Sequence, residues 1–206
     1  TLAMLAADAV GGDLERATPI AVALEYVHNF SLIHDDLEDM DRMRHHRPTV
    51  WAVWGKPAAI ISGNAMLKIA DQAVWKLRSV GVEDSIALEA EAELTQQYLK
   101  MMEGQYLDIS FETEESVSVP QYLDMIERKT GALIEASIYL GGLVGPRTGP
   151  DRQKAIALKA IGHELGRIFQ IRDDVLGIWG GKETGKPVGA DIKQKKKGTT
   201  CHSRTQ

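Results

Sequence analysis

Three carboxylates, Asp35, Asp36 and Asp39, fall at spacings of three and four, which on a helix places them on one face, one turn apart. Carboxylates that close repel, and if buried they need protons or cations. Mg²⁺ suits them, being a hard ion shared between carboxylates and substrate phosphates. By itself such a triplet is more often a solvated acidic helix end. A second pair, Asp173 and Asp174, follows Gln170 in a stretch otherwise rich in apolar residues: Ile168, Phe169, Ile171, Val175, Leu176 and Ile178. Acids buried there are costly without a cation or hydrogen bonds, so a plain surface face fits this pair poorly. Basic residues follow both groups. Arg42, Arg44 and Arg47 come after the first, and Lys186, Lys193 and Lys195 after the second, beside Gly185 and Gly189. Carboxylates holding metal on one side and Lys or Arg on the other form a clamp for a diphosphate.

Long helices must position these groups. Apolar residues recur at helical spacing from Ile20 through Leu24, Val27 and Phe30, and Thr18-Pro19 reads as the start of that helix. Further helices are predicted from Pro57 to Val80, from Asp84 to Phe111, from Ser118-Val119-Pro120 to Gly141-Gly142, and from Pro150 to Trp179, where Gly180-Gly181 stops the last. Strand alternation is nowhere sustained. The expected fold class is all-α, a large long-helix bundle with buried central helices.

The 206 residues suffice for one domain with a sizeable core. A net charge of −5 leaves no basic footprint for nucleic acid. No apolar run is long enough for a membrane span, and nothing at the start reads as a signal peptide. Cys201, the lone cysteine, excludes an internal disulfide, and the default location is cytoplasmic. His28, His34 and His163 read as core or supporting histidines rather than metal ligands.

The stretch HNFSLIHDDLEDMDRMRHHRPTVWAVWG (His28–Gly55) resembles the first aspartate-rich region of the trans-isoprenyl diphosphate synthases, the polyprenyl synthetase family. EGQYLDISFE (Glu103–Glu112), ERKTGALIEAS (Glu127–Ser137), GRIFQIRDDVLGIWG (Gly166–Gly180) and TGKPVGADIKQKKK (Thr184–Lys197) resemble its later motifs, in family order. The resemblance implies an isoprenoid-synthase fold, a long-helix bundle around a central cavity, and a Mg²⁺-dependent prenyl transferase, a homodimer. It would condense an allylic diphosphate with isopentenyl diphosphate to a short product, geranylgeranyl or farnesyl diphosphate. It implies three Mg²⁺ ions with diphosphate bound: two on Asp35 and Asp39, with Asp36 in the same cluster, and a third on Asp173, supported by Asp174. By the same resemblance Arg44, Lys129 and Lys186 hold the allylic diphosphate, Lys195 belongs to the same basic loop, and Gln105 and Asp108 support the metal shell. Gln170 and the Lys129-Thr130 turn face the developing carbocation. Phe30, five positions before Asp35, matches an aromatic floor of the chain-elongation tunnel; it reads equally as ordinary core.

Three features depart from the family pattern. His45 stands where an arginine often helps bind isopentenyl diphosphate, and an upstream Gly-Lys-Arg type segment is missing, so that subsite is expected to be weak. Gly177 replaces a third aspartate of the second cluster. Class I terpene cyclases ionise an allylic diphosphate alone and are one alternative; a non-catalytic regulatory paralogue is another. The family core is expected over residues 1–197, incomplete at both ends, with 198–206 a foreign tail. Possible codons for Gly198–Gln206, moved by one base, can be read Ala-Leu-Pro-Ala-Ile-His-Ala, which looks like the family's continuation. A frameshift near Lys195-Lys196-Lys197 would account for that.

Overall fold

A computed structural model describes residues 1–149 and 151–179. They form an all-α bundle with one two-residue β-hairpin. The elements are α1 (Leu2–Ala9), α2 (Leu14–Glu38), β1 (Met43–Arg44), β2 (Arg47–Pro48), α3 (Val50–Trp54), α4 (Lys56–Trp75), α5 (Asp84–Phe111), α6 (Val119–Ile126), α7 (Ala132–Val144) and α8 (Arg152–Trp179). A 3₁₀ turn, Arg78–Val80, follows α4, and a π-helical turn, Glu127–Gly131, joins α6 to α7. No helix among the described residues is long and apolar enough to cross a membrane.

α2 begins four residues before the expected Thr18. Asp13 is its cap, accepting the Glu15 N–H at 2.8 Å. Thr18 is instead an interior residue whose Oγ1 donates to the Leu14 carbonyl, and Pro19 is accommodated inside the helix. The buried face of α2, Ala17, Ile20, Ala23, Leu24, Val27 and Phe30, packs along α4 and α7. α4 ends at Trp75, short of Val80, and the 3₁₀ turn closes on Gly81 at φ 80°. α5 runs over the expected span. The helix expected to start at Ser118 does so with a capping box between Ser118 and Gln121, but its middle widens into the π-helical turn.

α7 is the central helix. Ile138, Leu140, Leu143 and Val144 are buried with Ala136 and Tyr139, and α1, α2, α5 and α8 all pack against it. α8 has the opposite character. Its apolar side chains point outward: Ile156, Ile161, Leu165, Ile168, Phe169 and Val175 are exposed, Ile168 at 61%. Its inward contacts combine Ala155, Leu158 and Ile171 with a row of polar side chains. The stretch around Asp173 and Asp174 is therefore not the buried apolar setting that its composition suggests. The 198–206 tail expectation lies outside the described residues, as do Lys186 and Lys195.

Candidate active site

The C-terminal end of α2 brings Asp35 and Asp36 against the β-hairpin. The hairpin turns tightly on His45 and His46, both left-handed at φ 47° and 62°, which returns the chain beside Arg44. Arg44 Nε donates to Asp36 Oδ1 at 2.7 Å and its Nη2 to Asp35 Oδ2 at 2.9 Å. One guanidinium fork thus bridges adjacent carboxylates. Asp36 is only 5% exposed. Burial pushes its carboxyl above the usual aspartate range, with Asp35 and Asp41 adding to the effect, and Arg44 only partly offsets it. Burial opposes the charge on Arg44 too, but its two carboxylate partners hold its value above the ordinary arginine one.

Lys129, in the π-helical turn, reaches the same cluster from the other side. Its Nζ lies 2.5 Å from Asp108 Oδ2 on α5 and 3.2 Å from Asp35 Oδ1. Burial works against this ammonium, yet Asp35, Asp108 and Asp39 together raise its pKa well above the lysine norm, so it is a fixed positive charge. The approach depends on Gly104, since a Cβ there would fall 2.1 Å from the Lys129 backbone nitrogen. One residue on, Gln105 Nε2 donates to Glu38 Oε2 at 2.8 Å, tying α5 to the end of α2.

The neighbouring residue faces the second cluster. Thr130 Oγ1 donates to Gln170 Oε1 at 2.6 Å, and Gln170 Nε2 donates to Asp174 Oδ1 at 2.8 Å. Tyr122 of α6 donates its phenolic hydrogen to Asp174 Oδ2. Consecutive residues of one turn therefore link the two acidic clusters, Lys129 to the first and Thr130 to the second. Asp173 is exposed, and Asp39 lies partly buried at the C-cap of α2.

The carboxylates converge on cations rather than on one another. Among the described residues, no three His, Cys, Asp or Glu side chains gather around a common point at metal-binding spacing. The donor set still fits a hard cation: oxygen ligands only, with Asp36 under-compensated by Arg44. His45 is exposed at the hairpin tip, apart from the bonds of Arg44. Phe30 is 1% exposed and packs against His34 at 4.6 Å and Tyr98 at 5.7 Å between ring centroids. His28 is exposed, which leaves the core half of its expected core or supporting role unmet. His34 is partly buried against Phe30, and His163 Nδ1 lies within hydrogen-bond reach of Glu135 Oε2 at 3.3 Å. Sequence reasoning missed Tyr122, Glu38 and Glu135. Tyr122 lies 52 residues from Asp174 with no motif linking them, and only the packing of α6 on α8 brings them together.

Comparison with known proteins bears on the family and the fold. The model of the polyprenyl synthetase family matches residues 1–203. The (2E,6E)-farnesyl diphosphate synthase of Mycobacterium tuberculosis is 45% identical over 197 residues, covering 95% of this chain and 53% of the relative. The crystal structure of geranylgeranyl pyrophosphate synthetase from Pyrococcus horikoshii superposes with a TM-score of 0.88 at 38% identity, over 96% of this chain and 59% of that one. A Helicobacter pylori geranyltransferase, solved with magnesium and isoprenyl diphosphate, superposes with a TM-score of 0.79 at 29% identity, over 91% of this chain and 61% of that one. The chain thus spans little more than half the length of the relatives it matches. By sequence and by fold alike, this chain belongs to the polyprenyl synthetase family.

Proposed function

We propose that this chain carries the diphosphate-ionising centre of a prenyl transferase. It joins an allylic diphosphate to isopentenyl diphosphate and makes a short product, geranylgeranyl or farnesyl diphosphate. One observation carries the reading: the fixed cations Arg44 and Lys129 are held against Asp35, Asp36 and Asp108, in bonding continuity with Thr130, Gln170 and Asp174. The names of the relatives support the substrate class.

Asp35, Asp39 and Asp36 would hold two Mg²⁺ ions, and Asp173 with Asp174 a third. Mg²⁺ supplies Lewis-acid stabilisation of the charge on a departing diphosphate. Arg44 and Lys129, with Lys186 of the later loop, donate to phosphate oxygens and share that charge as the allylic C–O bond ionises. Lys195 belongs to the same basic segment. Gln105 and Asp108 keep α5 and Lys129 in place around the first cluster. Gln170 and Thr130 present oxygen lone pairs to the carbocation. The double bond of isopentenyl diphosphate attacks the cation, and the released diphosphate takes the proton. Apolar walls such as the one around Phe30 exclude water that would quench the cation. His45 would serve the isopentenyl diphosphate side weakly.

A homodimer in the cytoplasm is part of the same proposal. α4 and α5 expose Ile61, Trp75, Leu88, Leu99 and Tyr106, an apolar surface suited to a second copy.

Turnover with dimethylallyl, geranyl and farnesyl diphosphates tests the reading, each with and without isopentenyl diphosphate and with and without chelator. Elongated product is expected only with both isopentenyl diphosphate and Mg²⁺. Hydrocarbon or alcohol formed without isopentenyl diphosphate would favour a cyclase-like reaction. Absence of both turnover and Mg²⁺-dependent pyrophosphate binding would sink the proposal and favour a non-catalytic paralogue.

A further inference from the structure

α8 meets the bundle through side chains that form directional bonds. Arg152 pairs with Glu89 of α5 at 2.7 Å. Lys159 Nζ lies 2.6 Å from Glu93 Oε1 of α5 and 3.7 Å from Glu135 Oε1 of α7. His163 Nδ1 is 3.3 Å from Glu135 Oε2, and Arg167 Nε is 3.0 Å from Glu127 Oε1 in the π-helical turn. Gln170 and Asp174 continue the row with Thr130 and Tyr122. Positions 152, 159, 163, 167, 170 and 174 advance by one step of seven, then by fours and a three, so they follow one stripe of the helix.

Glu135 is the centre of this row. It is 9% exposed, and Gln97 of α5, itself 2% exposed, donates to its Oε1 at 3.1 Å. Its carboxylate therefore joins α5, α7 and α8 at one point. The backbones come into contact beside it: Cβ atoms at Gly162 and Gly166 would fall 2.9 Å from the Glu135 Cα and 2.6 Å from the Gly131 Cα. Leu158 interlocks with Gly142 near the start of α8, but at Gly162 and Gly166 the helix itself presents only backbone to α7, and such a stretch resists sliding weakly. Along that stretch the bonds add the directional part of the register. Seven residues beyond His163 lies Gln170, on the same stripe and two turns along.

We infer that Glu135 is a positioning residue: by anchoring Lys159 and His163 it sets the axial register of α8, and so delivers Gln170 and Asp174 to Thr130 and Tyr122. The consequence for diphosphate binding rests on the proposed function; the anchoring itself does not. Glu135→Gln keeps the shape and the bond to Gln97 but removes the carboxylate charge that faces His163 and that Lys159 shares with Glu93.

Hydrogen–deuterium exchange without any ligand tests the anchor. Glu135→Gln should speed exchange of α8 amides from about Arg167 to Asp174 by about threefold or more, with α2 and α4 unchanged. Lys159→Gln, a milder change made from the α8 side, should give the same pattern at lower amplitude. A rise confined to residues near position 135, or one spread evenly over the chain, would overturn the inference.

A second readout is Mg²⁺-dependent binding of inorganic pyrophosphate by calorimetry. Glu135→Gln should weaken it about fivefold, and should weaken it no further in an Asp174→Asn background, because both changes act through one position. Full additivity would also overturn the inference. If the unaltered chain binds no pyrophosphate, the functional proposal fails and the exchange experiment still decides the anchor.

Discussion

The two acidic clusters are held in place by different physics. At the end of α2, Asp35 and Asp36 are partly to fully buried and compensated by formal charges, Arg44 from the hairpin and Lys129 from the π-helical turn. At the end of α8, Gln170 and Tyr122, both neutral, donate to Asp174 among the described residues, and Asp173 is exposed. Buried charges with charged partners are costly to separate, whereas neutral hydrogen bonds contribute modestly and re-form easily. The first cluster is therefore a rigid seat and the second an adjustable one.

The strongest way to break this contrast is Lys129→Met. It leaves Asp35 and Asp108 facing each other without their shared ammonium. A loss of about 3 kcal/mol in urea-unfolding stability is expected, as for breaking one partner of a buried pair. A loss under about 1 kcal/mol would show that water and Arg44 compensate the first cluster well enough by themselves.

Tyr122→Phe probes the second cluster. It removes one neutral bond to Asp174 and should cost about 1 kcal/mol. A loss equal to that of Lys129→Met would erase the distinction between the two seats.

Asp36→Asn has the smallest expected effect on stability and sharpens the comparison most. Burial, partly offset by Arg44, raises the native Asp36 value above its unfolded one. Its contribution is then complete below the ordinary aspartate range and fades as pH rises through the raised native value. At pH 7 without ligand, Asp36→Asn should leave the urea midpoint equal or higher, while Mg²⁺-dependent pyrophosphate binding is lost. A clearly lower midpoint would mean that the Arg44 bond outweighs burial. A site that weakens its own fold in this way is a common trade of stability for function.

Much of the scaffold was legible in the sequence because helical periodicity is a local signal. α5 and the Ser118 cap follow from residues within one turn of each other. The start of α2 was misplaced because Thr18-Pro19 satisfies the rules for a helix start, while Asp13 makes the actual cap bond. The motif residues Asp35, Asp36, Arg44, Asp108 and Lys129 do converge, and so do Thr130, Gln170 and Asp174. What the sequence hid were the long-range partners. Tyr122, Glu38 and Glu135 acquire their roles from helix packing, and no spacing rule connects residues on different helices. The composition near Asp173 also misled, because a count of apolar residues does not say which side of α8 they occupy.

The outward apolar row of α8 has a bearing on how this chain behaves at the bench. Ile156, Ile161, Leu165, Ile168, Phe169 and Val175 are poorly wetted surface along one long helix. Salts excluded from protein surfaces, such as ammonium sulfate, penalise exposed apolar area in proportion to its extent. The chain should salt out early for its size and bind dyes that fluoresce in apolar surroundings even when fully folded. Light scattering at rising sulfate should report that row directly, with Ile168→Lys moving the onset to higher salt.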